Sequence, residues 1–207
     1  MRIRRLYPGS FGANCWLLIA RDGQAAVVDP SPDAETVLHA LREENACASG
    51  ILLTHGHFDH ILSLDTLRDS ASIPALIHGE DLDLPGDARK NAFEAFFRQR
   101  RTWRTPDGTF ADGERLQIGD ETVTVLHTPG HTPGSCCFLV NGGQDILTGD
   151  TLFDGSYGRY DLWGGDAAAM RRSLERLAKL DPDACIHPGH GGDATLGGAL
   201  RRLGMTE

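Results

Sequence analysis

The sequence predicts an α/β protein, a β-sandwich with helices on both outer faces. Three observations carry that reading. Short apolar segments recur along the chain and end in histidine or aspartate among glycines and prolines. Stretches with apolar residues at helical spacing fall between them. No linker or low-complexity tract interrupts the chain, so residues 1–207 are expected to form a single domain, and 207 residues suffice for one substantial core.

Taken in order, residues 2–7, 14–21 and 25–29 read as successive strands, with Arg21-Asp22-Gly23 turning between the last two. Asp33 can cap a helix running to about Asn45, with Val37, Leu38 and Leu41 on one face. A strand over 49–53 follows, and then a helix expected to begin at His60, its Ile61, Leu64 and Leu67 three residues apart. Residues 75–78 form a short strand. The stretch from Glu80 to Trp103 has the least regular pattern. Its Phe93, Phe96 and Phe97 make a helical stripe followed by four arginines, and two readings stay open: a helix packed on the sheet, or a lid over the substrate.

Beyond it, Gly119-Asp120 turns into a strand in which Val123, Val125 and His127 alternate with Thr122, Thr124 and Leu126. Residues 135–140 and 145–147 make a hairpin turned by Asn141-Gly142-Gly143. Asp166 caps a helix with Met170, Leu174 and Leu177 inward, ended by Asp181-Pro182. A last strand over 184–186 and a short helix with Leu196, Leu200 and Leu203 complete the chain.

The chemistry concentrates in Thr54 to His60, T-H-G-H-F-D-H, directly after Ile51, Leu52 and Leu53. Of nine histidines in the chain, three lie here beside an aspartate, a density that a packed core does not call for. Imidazole and carboxylate suit zinc, iron or manganese. Gly56 is expected to give the backbone a conformation closed to other residues, so that His55, His57 and Asp59 converge. A catalytic metal site needs further ligands, and His131 in H-T-P-G-H-T-P-G, Asp150 after Ile146-Leu147-Thr148-Gly149, and His190 in H-P-G-H-G-G stand at the ends of apolar segments.

With Asp29 in V-V-D-P, the H-x-H-x-D-H run, His131, Asp150 and His190, the chain resembles the metallo-β-lactamase superfamily in all five of its motifs, in order. The resemblance implies the αββα form of the sandwich: two mixed β-sheets flanked by helices. It also implies two divalent metal ions, zinc first with iron and manganese as alternatives. One would be held by His55, His57 and His131, the other by Asp59, His60 and His190, with Asp150 bridging and Asp29 supporting the ligands from behind. The resemblance further implies that Asp59 and Asp150 are the catalytic carboxylates and that a metal-bound hydroxide would attack a carbonyl carbon.

The segment G-D-T-L-F-D-G-S-Y-G-R-Y-D, Gly149 to Asp161, resembles the glyoxalase II branch, the hydroxyacylglutathione hydrolases, in its S-x-G-R-x-D element. This implies a small-molecule acyl thioester substrate such as S-lactoylglutathione. Arg159 is a candidate substrate contact, although Arg159 and Asp161 also suit a loop brace. A thiolate leaves without a dedicated acid, which an amine does not. Full-length glyoxalase II carries a carboxy-terminal helical domain, whereas residues 191–207 are all that follow His190 here, so another acyl thiol is as well matched as a glutathione ester. A persulfide dioxygenase with a single iron, and a lactonase, are the alternatives within the resemblance.

Composition narrows the partners. A formal charge of −9 opposes a nucleic-acid surface. No run approaches the ~20 apolar residues that span a bilayer. The basic Met1 to Arg5 is followed by Leu6, Tyr7, Pro8 and Gly9 without the apolar core of an export signal. Five cysteines, an odd number with no C-x-x-C spacing, predict reduced thiols in a cytoplasmic protein. The sequence holds no signature of an oligomeric state.

Overall fold

The computed structural model describes residues 1–6 and 8–205. Tyr7, which ends the first expected strand, and residues 206 and 207 at the end of the expected domain lie outside the described residues. Twelve strands form two six-stranded sheets. The first holds β1 (Arg2–Leu6), β2 (Cys15–Ile19), β3 (Gln24–Val28), β4 (Cys47–Leu52), β5 (Ala75–His78) and β6 (Gly108–Phe110), side by side in chain order. The second holds β7 (Arg115–Ile118), β8 (Glu121–His127), β9 (Cys136–Val140), β10 (Asp145–Gly149), β11 (Cys185–Pro188) and β12 (Ala194–Thr195). Both sheets are mixed: β1 to β3 pair antiparallel and β3 to β6 parallel, whereas in the second sheet only β10 and β11 run parallel.

Alternation along the strands builds the layers. In β2, Cys15, Leu17 and Ile19 point to one face and Trp16 and Leu18 to the other, and every one of them is buried. A strand apolar on both faces has to be covered on both. Helices α1 (Ala34–Glu43) and α2 (Leu64–Ala71) cover the outer face of the first sheet, where Val37, Leu41, Leu64 and Leu67 join Val27 and Ile51. Helices α4 (Ala167–Leu177) and α5 (Leu196–Arg202) cover the second, with Leu174, Leu177 and Leu200 on Ile146 and Ile186. Between the sheets lie Leu18, Val28, Val125, Phe138 and Leu147. The order is therefore αββα, as the resemblance implies. Asp33 and Asp166 cap α1 and α4 by accepting from the Thr36 and Ala169 amides, as the sequence predicts.

Several expectations need correction. His60 does not open a helix: it closes a short 3-10 turn, Phe58–His60, and α2 begins at Leu64. Gly56 does not take the left-handed backbone; a Cβ there would lie 2.8 Å from Leu84 Cδ2, so the constraint is space. Three short strands were not expected: β6 and β12 carry too few residues to show an alternation, whereas β7 alternates Arg115 and Gln117 with the buried Leu116 and Ile118 over four residues only. The phenylalanine stripe forms a helix of five residues, α3 (Phe93–Phe97), with none of them fully buried. Phe93 packs partly against the first core cluster, and Phe96 and Phe97 are exposed.

Candidate metal centre

The site lies where strands of one direction end. Strands β3 and β4 are parallel, as are β10 and β11, and β8 runs with β10 because each is antiparallel to β9. Asp29 follows β3, the His55–His60 loop follows β4, His131 follows β8, Asp150 follows β10 and His190 follows β11. A carbonyl-side edge of this kind is where α/β folds gather polar side chains, because the strands end there and loops supply them.

The structure brings all seven predicted ligand candidates together. His55, His57 and His131 present nitrogens within 4.8 Å of one another, and so do the donor atoms of Asp59, His60 and His190. In the first group His57 Nδ1 is 2.8 Å from His131 Nε2. In the second, His190 Nε2 is 3.3 Å from Asp59 Oδ2 and 3.4 Å from His60 Nε2. Asp150 stands between the groups: Oδ2 lies 3.4 Å from His131 Nε2 and 3.6 Å from His190 Nε2, and Oδ1 lies 3.3 Å from His60 Nε2.

Hydrogen bonds behind the ring decide which nitrogens face inward. Asp29 takes a left-handed backbone (φ 52°), which aspartate tolerates, and is itself buried. Its Oδ1 accepts from the Thr54 amide at 2.8 Å, and its Oδ2 accepts from the Thr54 hydroxyl at 2.6 Å and from His60 Nδ1 at 2.9 Å. With its proton given to Asp29, the Thr54 oxygen is left as acceptor for His55 Nδ1 at 3.1 Å. His131 Nδ1 donates to the carbonyl of Arg159 at 2.6 Å. A carbonyl can only accept, so His131 Nε2 keeps a lone pair directed at the centre. Orienting imidazoles through the nitrogen away from the metal is how metal sites fix the tautomer.

The residues fit a metal on their own evidence. His55 Nε2, His57 Nε2 and one oxygen of Asp150 are buried without any hydrogen-bond partner. Although Asp150 Oδ1 comes within 3.3 Å of His60 Nε2, the contact lacks hydrogen-bond geometry. Four buried imidazoles and a carboxylate at such distances are costly unless a cation sits among them. Burial, reinforced by the neighbouring imidazoles, pushes His55 and His57 well below the ordinary histidine range. They are therefore neutral ligands at pH 7. Burial works against charge on Asp150 too, but the neighbouring imidazoles, His60 foremost, outweigh it and hold the carboxyl well below its usual range. A carboxylate that stays ionised in so buried a place suits a cation.

Close approach, rather than flexibility, explains one glycine at the edge: a Cβ on Gly189 would lie 2.2 Å from Asp150 Oδ1 and 2.7 Å from His60 Cε1.

Sequence reasoning missed one participant. Asp81, buried at the end of β5, accepts from the Gly56 amide at 3.2 Å, the Thr132 hydroxyl at 2.7 Å and the Gly134 amide at 2.6 Å. It thereby ties the loop carrying His55 and His57 to the loop carrying His131. Burial pushes its carboxyl up to about 6, even against those three hydrogen bonds. The acidic pair Glu80-Asp81, in the turn that follows the strand 75–78, was the available signal, and it sits at the start of the least regular stretch.

A sequence profile described as the metallo-beta-lactamase superfamily matches residues 8–190. The chain belongs to that superfamily. It is similar to an uncharacterized protein of Mycobacterium leprae (40% identity over 97% of this chain and 96% of that one). It is also similar to the probable metallo-hydrolase YqgX of Bacillus subtilis (33%, 92% and 90%) and to the hydroxyacylglutathione hydrolase GloC of Haemophilus influenzae (31%, 95% and 94%). Among solved structures it resembles the BLEG-1 B3 metallo-β-lactamase (TM-score 0.92, 32% identity, 100% of both chains) and TTHA1623 in a di-iron-bound form (0.85, 34%, 96% and 98%). It further resembles ETHE1 from Myxococcus xanthus (0.77, 25%, 98% and 83%). Membership implies a metal-dependent hydrolase in its broad class and divalent metal ions, for which the His/Asp cluster is the candidate site.

The His/Asp cluster opens into a pocket of about 330 Å³, lined by His57, Asp59, His131, Asp150 and His190 on its floor and by Phe11, Phe58, Phe96, Phe153 and Leu162 on its walls. Arg159 also lines it, but its guanidinium is held by both oxygens of Asp161, at 2.6 and 2.8 Å, and is half exposed. Its backbone carbonyl, through His131, is what touches the centre. None of the described helices is long and apolar enough to cross a membrane.

Proposed function

We propose that the chain, acting as a single domain, is a dinuclear hydrolase that cleaves acyl thioesters such as S-lactoylglutathione or a related acyl thiol. The observation that carries this reading is the convergence of five imidazoles and two carboxylates in two groups around Asp150. His55, His57 and His131 would hold one ion and Asp59, His60 and His190 the other, with Asp150 between; zinc is the ion proposed, and the di-iron form of a structural relative supports iron as the competitor. Neutral imidazoles and two carboxylates around two such ions leave the centre at a net charge of about +2. Two divalent ions supply a Lewis acid for the substrate carbonyl and make a water acidic near pH ~7.

The chain's own residues do the rest. Asp59 and Asp150 line the pocket floor, where their carboxylates can take the proton that the attacking water gives up. His60 and His131 are held in one orientation by Asp29 and the Arg159 carbonyl, so the site is organised before substrate arrives. Apart from the proposed ligands and the paired Arg159, no described residue lining the pocket titrates. The pocket therefore offers an amine leaving group no acid beyond the proposed metal ligands themselves. A thiol, with a pKa of about 8.5, departs without one. Likeness to a hydroxyacylglutathione hydrolase over nearly all of both chains supports the same chemistry. The five free cysteines, three of them buried, support a reducing compartment, the cytoplasm.

The second reading is the one that the sequence resemblance leaves open, a persulfide dioxygenase with one iron, which the complete second ligand group opposes. The test is turnover of S-lactoylglutathione, a lactone and glutathione persulfide by protein purified without chelator. Thiol release from the thioester without oxygen uptake is the expected result. Oxygen consumption on the persulfide with no thioester turnover would overturn it.

A further inference from the structure

The walls of the pocket carry information that its floor does not. Among the described residues, the large apolar side chains left exposed are Phe11, Phe96, Phe97, Tyr157, Tyr160 and Trp163. Two of them, Phe11 and Phe96, line the pocket directly. Phe11 meets the buried Phe58 edge-on at 5.2 Å and Phe97 at 5.4 Å, and Phe96 tilts against Phe58 at 5.6 Å. These rings come from three separate segments: the loop after β1, the ligand loop after β4, and α3. Phe58 is flanked in sequence by His57 and Asp59, so the ring cluster begins at the floor itself. Exposed aromatic rings grouped at the mouth of a site, not scattered over the surface, mark a surface meant to be covered by a ligand.

Charge points the same way. Glutathione carries two carboxylates and an ammonium, groups that need charged partners where they are recognised. The pocket's one cationic side chain, Arg159, already has its charge matched by Asp161 and lies against the Phe96 ring at 5.8 Å. The reacting carbon must sit over the floor. Of the two groups on that carbon, an uncharged apolar acyl chain matches rings that offer no charge, whereas a charged carrier such as glutathione finds the one arginine already paired and extends toward solvent.

We propose that the substrates are thioesters whose acyl group is apolar, with an aromatic ring favoured most, seated against Phe11, Phe58 and Phe96. This inference rests on the thioesterase reading above and adds the substrate class to it.

The experiment compares kcat/KM for S-phenylacetylglutathione and S-lactoylglutathione in the metal-loaded enzyme, in wild type and in Phe96→Ala and Phe11→Ala. Wild type is expected to favour the phenylacetyl ester by about 10-fold or more. Both variants collapse that ratio toward one, chiefly by raising KM for the phenylacetyl ester. Unchanged thermal melting shows that the variants fold, as expected for two exposed side chains. A wild type that favours the lactoyl ester, or variants that lower both esters alike, would overturn the inference and leave thioesterase activity standing. If neither thioester is turned over, the thioesterase reading fails, and calorimetric binding of phenylacetate against lactate to the metal-loaded protein tests the walls alone. Tighter phenylacetate binding that Phe96→Ala abolishes supports the apolar seat; equal binding contradicts it.

Discussion

The floor and the mouth of the pocket are built on opposite principles. On the floor three of the imidazoles are held from behind: Asp29 serves Thr54 and His60, Thr54 serves His55, and a main-chain carbonyl serves His131, whereas His57 Nε2 is left without a partner. At the mouth the side chains are apolar and exposed, and the one ion pair, Arg159 with Asp161, is open to solvent. Buried polar networks tolerate little change, because an atom left without its partner keeps its full desolvation cost. Exposed rings and a surface ion pair can change at little cost. The difference assigns the proposed reaction to the floor and the proposed substrate choice to the mouth, and substitutions can be ranked accordingly.

The largest effect is expected from the floor's centre. Asp150→Ala and His55→Ala should each keep the fold by circular dichroism yet lose metal, and lower thioester turnover by ~10³-fold or more, as removal of a metal ligand does. Full turnover in either variant would break the comparison at its root. One step back from the ligands, Asp29→Asn places an amide where three donors converge on a carboxylate. Metal affinity, measured by chelator competition, should fall by about 10–100-fold, the usual cost of losing a partner behind a metal ligand.

Asp81 sharpens the comparison because it joins two floor loops without facing the centre. Asp81→Asn leaves one of its donors facing an amide NH₂, with an expected loss of about 1–3 kcal/mol in urea unfolding. The pH dependence has a definite sign. Burial raises the folded-state carboxyl from 3.8 to about 6, so its contribution to stability is fully present below pH 3.8 and is lost as pH rises through about 6. The stability gap between wild type and Asp81→Asn should therefore narrow between pH 5 and pH 7. A gap that widens would contradict the assignment. The smallest effect belongs to the mouth: Asp161→Asn should leave melting unchanged and release Arg159. Turnover of a thioester with a carboxylate on its acyl group, such as S-succinylglutathione, should rise about 2–5-fold, in keeping with the modest energy of exposed ion pairs.

How much of this was legible in the sequence follows the same division. Ligands at strand ends were readable because each follows an apolar segment and sits among glycines and prolines, and His55, His57, Asp59, His60, His131, Asp150 and His190 all came together. Helices α1 and α4 were readable from their aspartate caps and helical spacing. The turn at His60 was not, because Ile61, Leu64 and Leu67 keep a helical spacing although the chain makes a 3-10 turn over Phe58–His60 and α2 begins only at Leu64. Asp81 and the Arg159 carbonyl were hidden for a different reason. One is a single acid whose partners lie up to 53 residues away, and the other acts through its main chain, which has no side-chain signature. The ring cluster at the mouth was visible only as a stripe in α3, since Phe11 and Phe58 join it through tertiary contact alone.

Metal stoichiometry tests the central claim most directly. Elemental analysis of wild type and His190→Ala, both purified without chelator, should give two divalent ions per chain in wild type and about one in the variant, which loses a ligand of one group only. A single ion per chain in wild type, unchanged in His190→Ala, would contradict the paired centre.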